Sequence, residues 1–302
     1  MNELRRDYLT GEWVAISTER AKRPVDFGSS RLECPFCPHN EHMTPPTIYR
    51  NGHVRVFANK YPALTDEDLN SYGIHEVLVD TAVHEQQLHE LPARDICEVL
   101  FALQSRSKAL SANEQIKHVQ IFKNQGLSAG ATLSHSHWQI LALPMVPPKQ
   151  MQIRNSFEEY FVENGECYLC EFFEKQYHGQ TVYENAGAIA YIPYASPYAD
   201  SVYLAPRRHS QILTELSPDD CLHIADILKR VLYALYDLHP GCGYNICFQS
   251  GSGGQAAANH LYMQVIPRLG NLAGFELSTG CFINSTDPLV SIRKFKRIIS
   301  RT

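Results

Sequence analysis

Hydrophobic and polar positions alternate with a period of two in several short runs of this chain and with a period near 3.6 in longer ones, which predicts an α+β protein. Val54-Arg-Val-Phe-Ala-Asn59 reads as a strand entering a loop, and His75 to Val79 as a second strand. In the segment Arg94 to Leu110, Ile96, Val99, Leu100 and Leu103 form the stripe of a helix facing a sheet. Two further strands, His118 to Phe122 and Trp138 to Leu143, flank a run containing Gly126 and Gly130. Asp7 to Ser17 predicts an opening hairpin that turns at Thr10-Gly11, and the Pro-rich stretch Leu143 to Pro148 closes this first unit.

The pattern then starts again. His75 to Leu91 aligns without gaps on Asp200 to Leu216, and Ile121 to Ile140 falls on Ile246 to Val265, both at an offset of 125 residues. That offset places His84 on His209, His135 on His260, Gln139 on Gln264 and Gly126 on Gly251. The helix recurs as well. Ser217-Pro218 offers an N-cap and a first-turn proline, followed by Ile224, Ile227, Leu228, Val231 and Leu232. The chain is therefore expected to be two related α+β halves, divided as 1–147 and 148–302.

Composition narrows the chemistry. With 302 residues, 44% hydrophobic and 20% charged, the chain can bury a core in each half, and no apolar run is long enough to span a bilayer. The polar start Met-Asn-Glu-Leu-Arg-Arg-Asp does not read as a secretory signal, so a cytoplasmic location is expected. A net charge of −5 argues against a general nucleic-acid surface but leaves room for a small phosphorylated substrate. Nine cysteines under those conditions do not read as a disulfide framework. Two pairs have metal spacing, Cys34-Pro-Phe-Cys37 and Cys167-Tyr-Leu-Cys170; the other five read as buried small hydrophobes. Together with the repeated histidines they make two sets of two thiolates and two imidazoles: Cys34, Cys37, His84, His135 and Cys167, Cys170, His209, His260. That is the donor set of a closed zinc site, one expected in each half.

Ser134-His-Ser-His137-Trp-Gln139 carries the reactive groups. On an extended strand His135, His137 and Gln139 share one face, and the neighbouring glycines allow close approach of a phosphate. His137 aligns with Tyr262, so the candidate nucleophile occurs once. A neutral imidazole would attack phosphorus, its second nitrogen donating to the carbonyl of His135, while Gln139 and the N–H groups around Gly130 hold phosphate oxygens. The basic loop Arg20-Ala-Lys-Arg23-Pro24 is either a solvated turn or a clamp on substrate phosphate.

The His-Ser-His-Trp-Gln run, with Asn124-Gln-Gly126 before it, Cys-x-x-Cys at 34, the early Arg-Ala-Lys-Arg-Pro and Ala273-Gly-Phe-Glu276 near the end, resembles the galactose-1-phosphate uridylyltransferase family of the histidine-triad superfamily. The resemblance implies a tandem duplication of two histidine-triad-like units, each an antiparallel sheet with packed helices. It also implies a double displacement in which UMP passes from UDP-glucose to galactose 1-phosphate through a nucleotidyl-histidine. It makes His137 the nucleophile and Gln139 the phosphate-holding amide. Asn59 is placed by the nucleoside, Asn124, Gly130 and Thr132 by the α-phosphate, Arg20 and Arg23 at the sugar phosphate, and a homodimer is implied. Ser136 and Trp138 stand where the family usually has Pro and Gly, which looks more like adenylyl-transferring relatives that phosphorolyse ADP-glucose or dinucleoside polyphosphates. The second half has its own Cys-x-x-Cys and lacks His-x-His, which points to zinc there rather than iron. A zinc-stabilised nucleotide-binding protein without turnover and a histidine-triad hydrolase are the other readings.

Overall fold

The computed structural model describes residues 2–6, 9, 12–23, 34–67, 69–175, 179–250 and 254–301. Strands β1 (Asn2–Arg6) and β2 (Trp13–Ser17) pair antiparallel as a separate two-stranded sheet. The opening hairpin is therefore present with its first strand earlier than the sequence places it; the expected turn at Thr10-Gly11 lies outside the described residues, as do Pro24 and Gly251.

Ten strands make one continuous antiparallel sheet: β3 (Thr47–Asn51), β4 (Val54–Ala58), β5 (Ile74–Val79), β6 (His118–Gln125), β7 (His137–Leu143), β8 (Thr181–Glu184), β9 (Ala188–Tyr191), β10 (Val202–Pro206), β11 (Tyr244–Gln249) and β12 (Tyr262–Pro267). Their order across the sheet is β3-β4-β5-β7-β6-β11-β12-β10-β9-β8, which reads the same from either edge once each strand is replaced by its repeat mate. The duplication is thus visible in the topology, and the two halves share a sheet through the antiparallel pair β6–β11, with Asn124 opposite Asn245.

The period-two pattern assigns the faces. Trp138, Ile140 and Ala142 of β7, Leu78 of β5 and Met263 and Val265 of β12 join one large core beneath helices α1 (Ala93–Ser111), α4 (Pro218–Leu238) and α6 (Pro288–Ile299). Ser217 caps α4, its hydroxyl accepting from the Asp220 N–H at 3.2 Å, and Pro218 takes the first helical position. The opposite face carries two smaller clusters, one per half. In the second half that face is covered by α2 (Pro148–Asn164) and α3 (Tyr168–Glu174), neither of which the apolar periodicity reveals. A short α5 (Gly274–Thr279) follows β12. Among the described residues no helix is long and apolar enough to cross a membrane.

Candidate active site and metal cluster

Cys34 and Cys37 lie in a tight turn before β3, His84 follows β5, and His135 lies two residues before the start of β7. All four are buried, and one ligand atom from each lies within 4.8 Å of the others. His135 Nδ1 stands 3.6 Å from Cys34 Sγ and 3.7 Å from Cys37 Sγ, and His84 Nδ1 stands 3.5 Å from Cys37 Sγ. A tetrahedral ion with about 2.3 Å to sulfur and about 2.05 Å to nitrogen requires neighbouring donors about 3.6 Å apart. The Nε2–H of His135 donates to the Thr81 carbonyl at 2.8 Å, which leaves Nδ1 as the free lone pair. Burial pushes the Cys34 thiol up to about 12, so a cation is what would hold it as thiolate. This buried Cys2His2 cluster fits a metal ion.

The second set is less complete. Cys167, Cys170 and His209 form a candidate cluster, with Cys170 Sγ 3.2 Å from His209 Nδ1. The rings of His209 and His260 cross at 87° and 5.3 Å, as those of His84 and His135 cross at 88° and 5.4 Å. Yet His260 is not brought in as a fourth ligand: its Nδ1 donates to the adjacent Leu261 carbonyl at 2.9 Å, and its Nε2 is buried without a hydrogen-bond partner among the described residues. Of the four residues expected in the second half, the structure thus groups Cys167, Cys170 and His209 and leaves His260 out.

Beside the first cluster a cavity of about 430 Å3 opens on the cluster's side of the sheet. His137 and Gln139 form its floor; Asn59, Gly130, Thr132 and, from the basic loop, Lys22 and Arg23 stand in its wall, with Lys60 as a cation the sequence did not single out. The strand begins at His137, so His135 lies outside it and turns its ring to the thiols; only His137 and Gln139 share the cavity face, which corrects the three-residue face read from the sequence. The Nδ1–H of His137 donates to the His135 carbonyl at 2.8 Å, leaving the Nε2 lone pair for the cavity. Burial first, then the Lys123 charge, hold this imidazole down to about 4, so it is neutral near pH 7.

Three further expected residues have these surroundings. Arg20 is not in the cavity wall: its Nη1 donates to the Tyr61 carbonyl at 3.0 Å and faces His75 at 3.4 Å. Asn124 accepts from Asn245 Nδ2 at 2.7 Å at the joint between the halves. The Gly130 and Ala131 N–H groups bond to Leu127 and Gly126 carbonyls at 2.9 and 3.2 Å, so the turn itself uses the donors expected to meet phosphate. Gly130 is needed there because the backbone adopts φ 83°.

Sequence reading missed Lys123, Asp80 and His75. On the helix side of the sheet, behind His137, the fully buried Lys123 ammonium donates to Asp80 Oδ2 at 2.8 Å, Ser136 Oγ at 2.6 Å and the His137 carbonyl at 3.2 Å. Ser136 is thus an acceptor for this lysine. Its signal was a lysine at a core-facing position in Ile121-Phe-Lys123. In the second half Tyr262 occupies the place of His137, stacked on Tyr203 with 5.6 Å between centroids and tilted against Phe157 of α2, so aromatic rings fill the equivalent position.

Comparison with known proteins agrees with this geometry. The family model described as galactose-1-phosphate uridyl transferase, N-terminal domain, matches residues 1–147. The ADP-glucose phosphorylase of Arabidopsis thaliana is 32% identical over 99% of this chain and 93% of its own length. The galactose-1-phosphate uridylyltransferase of Thermotoga maritima is 29% identical over 98% of each. A crystal structure of an Arabidopsis thaliana ADP-glucose phosphorylase with bound ADP-glucose superposes with a TM-score of 0.84 at 31% identity, covering 99% of both chains. With full-length relatives of both kinds, a matching fold and a metal-type cluster next to a free imidazole, the chain belongs to the galactose-1-phosphate uridylyltransferase family of nucleotidyl-transferring enzymes.

Proposed function

We propose that the chain moves a nucleoside monophosphate from a nucleoside-diphosphate hexose to a phosphate acceptor, with His137 as the covalent carrier. Nε2 attacks the α-phosphorus, a P–N bond forms, and the bond to the bridging oxygen breaks so that hexose 1-phosphate leaves with the electron pair. An oxygen of the acceptor phosphate then attacks the same phosphorus and returns the lone pair to Nε2. The observation that carries this reading is the His137 tautomer. Nδ1–H is held by the His135 carbonyl at 2.8 Å, so the charge gained on phosphorylation is shared with a fixed acceptor. Gln139 would donate to a non-bridging oxygen, and Arg23, Lys22 and Lys60 supply the positive wall that a diphosphate requires. Zinc in the Cys34, Cys37, His84, His135 cluster, with four protein ligands, would fix the His135 carbonyl and take no part in bond making. Residues 1–147 would be the catalytic half and 148–302 the half lacking the nucleophile.

Uridylyl exchange between UDP-glucose and galactose 1-phosphate is supported by the family model and by the Thermotoga maritima relative. Phosphorolysis of ADP-glucose is a second reading, favoured by Ser136 and by the Arabidopsis thaliana relative. Exposed Phe275, Leu277 and Ile283 around α5 support the expected homodimer. The test is to mix the protein with UDP-glucose and, separately, ADP-glucose, and to read the intact mass before and after acid treatment. A UMP or AMP increment on His137, lost in acid and absent in His137→Ala, identifies carrier and nucleotide; turnover without any increment refutes the covalent route.

A further inference from the structure

The polar contacts under the cavity floor converge on a residue that no role above uses. His75 is 4% exposed and does not line the cavity; it sits behind two amides that do, Gln139 and Asn59. The backbone N–H of Ala63 points at His75 Nδ1 at 3.1 Å, and Arg20 Nη1 approaches the same nitrogen at 3.4 Å. A backbone N–H has no other orientation, so Nδ1 must accept and the ring hydrogen must sit on Nε2. Nε2 lies 3.0 Å from Gln139 Oε1.

We propose that His75 is a positioning residue that fixes which end of the Gln139 amide faces the substrate. The Ala63 N–H donates to His75 Nδ1, His75 Nε2–H donates to Gln139 Oε1, and the Gln139 NH2 is thereby turned to the cavity as a donor to a phosphate oxygen. Without the histidine a free glutamine can present either end, and its carbonyl oxygen would repel the anion. Asn59 Nδ2 stands 3.2 Å from the same Nε2, but the Tyr61 N–H donates to Asn59 Oδ1 at 2.9 Å, so both groups at that contact are donors and the Asn59 hydrogens are also left for the cavity. The relay survives changes of pH because burial, chiefly, and the nearby Arg20 keep the ring neutral, with its pKa down to about 3. Arg20, misplaced for the cavity wall, acts here on the far side of the relay.

This inference rests on the proposed transfer through His137, and a double-mutant cycle separates the two. Single-turnover nucleotidylation would be followed by mass for the unaltered enzyme, His75→Leu, Gln139→Ala and the double variant. His75→Leu is expected to slow nucleotidylation by about 10- to 100-fold, but by less than about twofold once Gln139 is already Ala. His75→Gln, whose amide can supply the donor, is expected to recover most of the rate, and it also serves if His75→Leu does not fold. Equal losses on both backgrounds, or no loss on either, or no recovery by glutamine in folded protein, overturns the relay. Absence of nucleotidylation in the unaltered enzyme instead refutes the His137 reading itself.

Discussion

Lys123→Met isolates the largest single interaction behind the site. Lys123 and Asp80 are both fully buried, 2.8 Å apart, and the same ammonium satisfies Ser136 Oγ and the His137 carbonyl. Burial alone would raise the Asp80 carboxyl, but the Lys123 charge and the hydrogen bonds from Lys123 and Ser136 outweigh it and hold the carboxyl below the usual carboxylate range. With methionine in place, Asp80 has no cation and takes up a proton. Holding a carboxyl of ordinary pKa about 3.9 protonated at pH 7 costs about 4 kcal/mol, within the ~3–5 kcal/mol expected when one member of a buried pair is removed. The sign follows from linkage. In the unaltered protein this contribution is present above the unfolded pKa and is lost as pH falls through the depressed folded pKa; in the variant the penalty shrinks by about 1.4 kcal/mol per pH unit as pH drops from 7 towards 4. Urea unfolding followed by tryptophan emission at pH 7 and pH 5.5 measures both quantities. Asp80→Leu combined with Lys123→Met should recover most of the loss, because it removes the stranded carboxyl. A loss under about 1 kcal/mol, or a loss independent of pH, would refute the reasoning.

Two other outcomes are expected. His75 is held down to about 3, mainly by burial, whereas an unfolded histidine titrates near ~6.5, so the unfolded chain binds more protons between those values. Stability should fall with acidification through that window by up to about 1.4 kcal/mol per pH unit, and the slope should flatten in His75→Leu; an unchanged slope would contradict the burial. Cys34→Ser should remove one equivalent of bound metal by elemental analysis and slow nucleotidylation at least about 10-fold if, as proposed, a metal-filled cluster holds the His135 carbonyl; Cys170→Ser should leave that rate unaltered.

Much of this was legible in the sequence because it is local or repeated. The strands around 54–58, 74–79, 118–125 and 137–143, helices α1 and α4 and the Ser217 cap follow from period, capping chemistry and the offset of 125. The first Cys2His2 set was legible through its repetition. What escaped depends on contacts between distant segments. His75 and Gln139 are 64 residues apart, and only the register Val77 opposite Gln139 brings them together. Lys123 looks like a surface residue until its strand position beside Trp138 is known. Helix α2 has too weak an apolar stripe to be read, since only Gln150 in it is buried. His260 matched its mate in position but not in ring orientation, which spacing does not encode.

The β6–β11 pair has one more consequence. Asn245 reaches across it to donate to Asn124 Oδ1 and to the Ala129 carbonyl at 2.9 Å, and Gly243 passes so close to the Gly126 turn that a Cβ there would lie 2.3 Å from Ser128 Oγ. The Gly126–Gly130 turn beside the cavity is therefore buttressed by residues of the second half, in which Tyr262 stands where the first has His137. Taking the second half away would bare the β6 edge and free the buttressed turn together, so the seam between the repeats works like the keystone of an arch, holding the cavity's wall as well as the sheet.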